Sequence, residues 1–265
     1  MGALSGGFPA PTGGPVACLV VTVDPLAPLL DLAGVADVLT GARERVDQAL
    51  RHRGLRRGGG RIAAEVGLRS AVASAALEGS GYDVEQVRAG TVTDPVLQGA
   101  LRVGSAVDGL VDRWRTAPRQ VLARLHVLAA RDAVPEPDLG RPVPDPAVAA
   151  RLDALAALLT GGTRVPPAAL AAVVHGELLA LRPFAGPSGV VARAAARLTL
   201  VAGGVDPRGL VAVEVGHLAR QPEYVGAAGA FATGKPDGLR SWFRHYAAAV
   251  ERGAEELESV ADGLA

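Results

Sequence analysis

The sequence predicts an all-α fold, a helical bundle forming a single domain, and three observations carry that expectation. Apolar residues recur at helical spacing along most of the chain, Gly and Pro punctuate the periodic segments, and a single run at 16–23, VACLVVTV, reads as a strand. An isolated strand has nothing to pair with, so it does not argue for a sheet. With 265 residues, 49% of them apolar, the chain is long enough to bury a sizeable core.

In chain order, residues 1–15, MGALSGGFPAPTGGP, lack the positive charge and apolar stretch of a secretory signal and are expected to form a disordered leader. Helices are expected over 31–53, 61–78, 93–116, 118–132, 146–160, 166–181, 189–202, 207–219 and 237–261. The run GLRRGGGR at 54–61 is expected to separate the first two, and the proline-rich 134–146 to connect the fourth and fifth. Val121, Leu122, Leu125, Leu128 and Ala129 share one helical face. Leu239, Trp242, Phe243, Tyr246, Val250 and Leu257 share another, so both helices should face the core. Residues 16–117 read as an N-terminal helical region and 118–265 as core and C-terminal helices. Apolar faces on both sides of the connector need partners, which favours one domain.

Composition narrows the function classes. Acidic and basic residues balance at 27 each, against a polyanion-binding protein at the level of net charge. Arg43, Arg45, Arg51, His52, Arg53, Arg56, Arg57 and Arg61 cluster, but without interleaved aromatics and with Glu44 and Asp47 among them, which suits a solvated helix face. No nucleic-acid partner is expected. No run approaches the roughly 20 apolar residues of a membrane span. Cys18 is the lone cysteine, which excludes a disulfide framework and a Cys-based zinc site and fits a reducing cytoplasm. His126, His217 and His245 lack HxxxH or HExxH spacing, so they read as satisfied or solvated histidines, and His175 as a core histidine.

The chemistry concentrates at 179–198, LALRPFAGPSGVVARAAARL. Ser188 is placed to cap a helix that Gly189 begins and Gly203 and Gly204 end. The unpaired N–H groups and positive dipole end of that helix make an anion or phosphate site. Arg193 and Arg197 follow on roughly one side, Arg193 near enough to reach a bound phosphate. The same residues also suit an ordinary capped helix behind a Gly/Pro turn, with no ligand at all.

The segment LRPFAGPSGVVAR resembles the signature of the Fic (Fido) family, H-x-F-x-[D/E]-G-N-G-R-x-x-R. His175 in VVHGELLALRPF, RLHVLAA at 124–130 and LTLVAGGVDP after the motif are similar to the flanking helices of that family, so the likeness spans about 118–220. It implies a Fic-like helical bundle and, in active members, AMP transfer from ATP to a protein hydroxyl. There the motif histidine takes the hydroxyl proton, the acidic residue holds Mg²⁺, and the Asn, backbone amides and two arginines bind phosphate.

Several motif positions depart from this pattern. Arg182 stands where the histidine would be, and a guanidinium cannot act as a general base. Gly186 replaces the acidic residue, so no metal ion is expected. Pro187 removes an amide donor, Ser188 replaces the Asn, and Val190 replaces the first arginine, whereas Phe184, Gly189 and Arg193 remain.

Upstream, SAALEG at 74–79 matches the [S/T]-x-x-x-E-[G/N] inhibitory helix of many Fic proteins, which implies that Glu78 pairs with Arg193 across the phosphate site. The hairpin flap that holds target segments in active members would fall at 134–146, where no strand pattern exists.

The expectation is therefore a degenerate Fic-like pseudoenzyme, impaired for AMP transfer and acting as a nucleotide- or anion-binding or protein-interaction regulatory module. Its phosphate-binding residues would be Arg182, Phe184, Ser188, Gly189 and Arg193, with ATP or another nucleotide as ligand and a protein as target or regulatory partner. The alternative is a nucleotidyl- or phosphoryl-transferase that modifies protein hydroxyls with Arg182 as a charge clamp. A homo-oligomer stays open in either case.

Overall fold

The computed structural model describes Gly2 and residues 24–264, and among the described residues there is no strand. The expected leader at 1–15, apart from Gly2, the strand at 16–23 and Cys18 lie outside them. Asp24 is held where Thr163 Oγ1 and the Arg164 N–H donate to its carboxylate.

A short α1 (Ala27–Leu30) leads into α2 (Val35–Leu50). The single helix expected over 31–53 is thus shorter, because Gly34 at φ 76° breaks the chain before α2. The Gly-rich run at 54–61 does not separate helices: it forms the first turns of α3 (Leu55–Ala76). Isolated propensity disfavours glycine there by roughly 1 kcal/mol each relative to Ala. Burial of Leu55 and Ile62 in the core offsets that, and a Cβ at Gly59 would collide with the Arg208 guanidinium.

After α4 (Val84–Arg88) come α5 (Pro95–Thr116) and α6 (Pro118–Ala130). Asp94 caps α5 by accepting from the Leu97 N–H at 2.8 Å. The connector holds only a single 3₁₀ turn, Glu136–Asp138, before α7 (Pro146–Ala157), whose end widens into the π-type turn Leu158–Gly162.

The centre is a pair of sequential helices, α8 (Pro167–Leu181) and α9 (Ser188–Ala202). Every residue of α9 except Arg197 and Ala202 is buried, the mark of a helix enclosed on all sides. Val190, Ala194 and Leu198 enter one apolar core with Trp114, Leu125 and Phe184. Ala196 and Leu200 enter a second core built on Trp242, Phe243 and Tyr246.

The last elements are α10 (Val213–Ala219), α11 (Gln221–Phe231) and α12 (Pro236–Gly263). The helix expected over 207–219 begins only at Val213, since buried Asp206 accepts from the Leu210 and Val211 N–H groups and fixes a turn there. Helix α11 was not expected. Its start carries a proline in the first turn, which supports rather than breaks a helix. The last helix lies over both α10 and α2, and its approach to α10 is close enough that Gly216 and Gly253 have backbone where a Cβ would go.

Trp242 is fully buried and donates its Nε1–H to the Ala172 carbonyl at 2.8 Å, tying α12 to α8. Trp242→Ala is expected to lower unfolding free energy by about 3–5 kcal/mol, measured by urea denaturation, with Trp242→Phe losing clearly less.

Candidate functional site

The α8–α9 turn is fixed from both ends. Arg182 closes α8 with its N–H on the Leu178 carbonyl at 3.0 Å and adopts φ 44°, ψ 58°, the one non-glycine at positive φ among the described residues. A left-handed arginine is a strained choice that surrounding contacts must hold in place. Its side chain is exposed.

Phe184 is buried and stacks on His126 of α6, ring centroids 4.7 Å apart. The Gly140 N–H donates to His126 Nδ1 at 3.0 Å, so Nε2 carries the proton and donates to the Ala185 carbonyl at 2.9 Å. One neutral imidazole thus clamps the turn to both α6 and the connector. Burial lowers its pKa, consistent with that neutral form. The connector adds a second tie, the Val143 N–H on the Pro183 carbonyl at 2.9 Å.

Ser188 does not cap α9. Pro187 occupies the cap position and Ser188 is the first helical residue, its buried Oγ without a partner among the described residues. Its N–H turns back to the Gly186 carbonyl at 2.7 Å, which satisfies one donor of the helix start locally. Gly186 sits at φ 68°, and a Cβ there would come within 2.6 Å of Val134. A carboxylate side chain at this position meets both backbone strain and a filled space. Val190 is buried in the apolar core, so no arginine-like reach into the turn exists from there.

Arg193 and Glu78 come together. Glu78 lies in the turn that ends α3, closed by Gly79 at φ 95°. The Arg193 side chain, 2% exposed, donates from Nη2 to Glu78 Oε1 and to the Ser74 carbonyl, both at 2.8 Å. Its Nε donates to Ser74 Oγ at 2.9 Å and its Nη1 to Tyr224 Oη at 3.3 Å. The Glu78 carboxylate occupies the space beside Gly189, where a Cβ would collide with it. At the end of its own helix a carboxylate is unfavourable, but at the start of α9 it meets the positive end of a dipole.

These groups line an open cleft of about 200 Å³ with Arg182, Ser188, Gly189, Arg193, Glu78 and Tyr224 on its walls. Arg197 is not part of it. Its guanidinium turns to the Gly209 carbonyl beyond α9. No histidine lines the cleft among the described residues.

Behind the cleft lie features that sequence reasoning missed. Tyr224 of α11 shares a 2.9 Å hydrogen bond with His175 Nε2, and His217 and His245 share one of 3.0 Å. Since α11 was not expected, nothing in the sequence pointed to Tyr224. Burial drives His175 and His217 well below the usual imidazole range, with the Arg193 charge adding to this at His175, and pulls His245 down to about 4. No three His, Cys, Asp or Glu side chains reach metal-binding proximity among the described residues.

No protein-family model matches the sequence, and no curated protein does. Among solved structures the chain is similar to a Fic family protein from Desulfovibrio desulfuricans G20, at 21% identity and a TM-score of 0.71, over 86% of this chain and 74% of that one. It is similar to a fragment of Fic-1 from C. elegans at 19% identity and a TM-score of 0.70, over 90% and 76% of the two chains. A substituted form of that fragment gives 18% identity and a TM-score of 0.66. The chain therefore has the all-α fold of the Fic proteins.

Two expected outcomes follow from this geometry. Glu78→Ala and Arg193→Ala, measured singly and together by denaturant unfolding, should show a coupling of about 1–3 kcal/mol, and additive effects would contradict the contact. The depressed histidines give stability that is fully present above the unfolded value of 6.5 and is lost as pH falls toward their folded values. An NMR titration should find His126, His175 and His217 titrating below the usual imidazole range and His245 titrating near 4.

Proposed function

We propose that this Fic-fold chain is a member of the Fic family that no longer performs standard AMP transfer, and that it serves as a regulatory module whose anion cleft is occupied from within by Glu78. The observation that carries this reading is the position of the Glu78 carboxylate, hydrogen-bonded to Arg193 and lying against Gly189 at the start of α9. A phosphate group seeking the same dipole end and the same guanidinium would have to displace it.

The reaction chemistry supports the same reading. Removing a proton from a hydroxyl calls for a group that can change protonation near neutral pH, and Arg182 cannot. His175 is the histidine nearest in the hydrogen-bond chain, but it is fully buried and bonded to Tyr224, one residue removed from the cleft. With Gly186 in the turn, the carboxylate that would place a metal ion is missing, and Val134 fills its space. What remains is recognition: an exposed Arg182, the Arg193 guanidinium and the α9 terminus suit the phosphates of ATP or another nucleotide once Glu78 moves aside. A protein partner that draws Glu78 out would act as the regulator of that cleft.

The exposed, left-handed Arg182 at the cleft mouth favours a second reading, a transferase that uses it as a charge clamp. Calorimetry with ATP, GTP, UTP and CTP, with Mg²⁺ or Mn²⁺, followed by intact-mass analysis, separates the two. For the regulatory module, Glu78→Gly gains nucleotide affinity by about tenfold or more over the wild-type chain, with no change of mass in either. A nucleotidyl adduct on the chain or on added protein would favour the transferase, and absence of binding by both chains would contradict a nucleotide cleft.

A further inference from the structure

Behind α9 two small chambers collect buried polar atoms that have no partner among the described residues. The chamber between α8, α9, α10 and α12 is lined by His175, His217, Glu214 and Tyr246 and leaves about 10 Å³ for the centre of a water molecule. His175 Nδ1, His217 Nε2, Glu214 Oε2 and Tyr246 Oη are each buried and unpartnered. The residues are 0%, 1%, 6% and 0% exposed, so bulk solvent does not satisfy them. An orphaned buried donor or acceptor costs about 1–3 kcal/mol, and four at one place is far from the usual state of a folded interior. The neighbouring chamber, about 20 Å³ on the same measure, shares Glu214 and Arg197 and adds the unpartnered Ser70 Oγ.

The hydrogen-bond directions around the first chamber define what fits. Arg193 Nη1 donates to Tyr224 Oη, and the Tyr224 proton finds an acceptor at 2.9 Å when His175 Nε2 is the unprotonated ring nitrogen. His175 Nδ1 then carries the ring proton and needs an acceptor. Tyr246 also offers a donor, since burial raises its pKa far above the usual phenol range. Glu214 offers only acceptors. His217 Nε2 is an acceptor when its Nδ1–H donates to His245 Nε2. Two donors and two acceptors surround a space large enough for one small molecule, the complement of a water molecule.

We propose that this chamber holds one ordered water molecule, which accepts from His175 Nδ1–H and Tyr246 O–H and donates to Glu214 Oε2 and His217 Nε2. Glu214 is then a positioning residue. Through the water it fixes the protonated nitrogen of His175, which fixes the direction of the Tyr224 hydroxyl, which keeps a lone pair on the Arg193 guanidinium. The chain of contacts runs from the rear of α9 to the anion cleft and does not depend on whether that cleft serves regulation or transfer.

A crystal structure at about 1.8 Å, with anomalous data, tests the occupant. A single non-anomalous density peak within hydrogen-bond distance of those four atoms is the expected result. An empty chamber, or an anomalous peak showing a metal ion, overturns the proposal. The positioning role is read from solvent exchange of the Arg193 Nη1–H protons, which donate to Tyr224 Oη, by low-temperature NMR. Glu214→Leu should speed it by about tenfold, as loss of a hydrogen bond in the network requires, and Glu214→Gln, which keeps an acceptor oxygen, should restore it to within about twofold. Equal exchange in all three chains, or equal acceleration in both variants, overturns Glu214 as the positioning residue. Tyr246→Phe keeps the ring and removes one donor, so it should retain the fold and leave the water weaker and less ordered than in the wild-type chain, and an unchanged peak would overturn Tyr246 as one of its four partners.

Discussion

A guanidinium stays charged in a folded protein, so burying Arg193 at 2% side-chain exposure obliges the chain to surround it with acceptors. Ser74 meets it with hydroxyl and carbonyl, Glu78 with a carboxylate and Tyr224 with a phenol. These come from the end of α3, the turn after it, and α11, so one residue on α9 draws together segments 115 and 31 positions away. Breaking the ion pair would leave an uncompensated buried charge, so the turn that follows α3 at Ala76 and closes at the left-handed Gly79 has to hold Glu78 beside α9. The two apolar cores pack around this axis, one on each side of α9.

The shape of the turn has its own supports. His126 joins the Ala185 carbonyl and the Gly140 N–H through one neutral ring and stacks on Phe184, so the turn is set by α6 and the connector as well as by the two helices it joins. That support is independent of the motif positions that carry chemistry. Arg182, Gly186 and Val190 can therefore depart from the Fic pattern without loss of the loop's course. Gly186 even suits the altered site better than an acidic residue, given its positive φ and the nearby Val134.

Most of the bundle was legible because helical periodicity is a local signal. The α8 and α9 boundaries, the stop at Gly203 and Gly204 and the core face of α12 all follow from residues within two turns. The failures occurred where tertiary contacts overrode local preference. Gly58, Gly59 and Gly60 are helical in α3 because that helix is anchored by Leu55 and Ile62, and Ser188 lost its capping role because Pro187 turned the chain one residue earlier. In the cleft, the Glu78 and Arg193 partners were implied by family resemblance, whereas Tyr224 and the buried histidine array were not legible. Their roles depend on four helices converging, and a lone histidine in sequence carries no sign of which ring it will meet.

The central claim is that the Glu78 carboxylate stands in the anion site at the start of α9. Titration of the wild-type chain and Glu78→Gly with inorganic phosphate, following the Gly189 amide by NMR, tests this most directly. A saturable shift of that amide in Glu78→Gly, with a flat response in the wild-type chain over the same concentrations, is the predicted result. An equal response in both chains, or none in either, would contradict it.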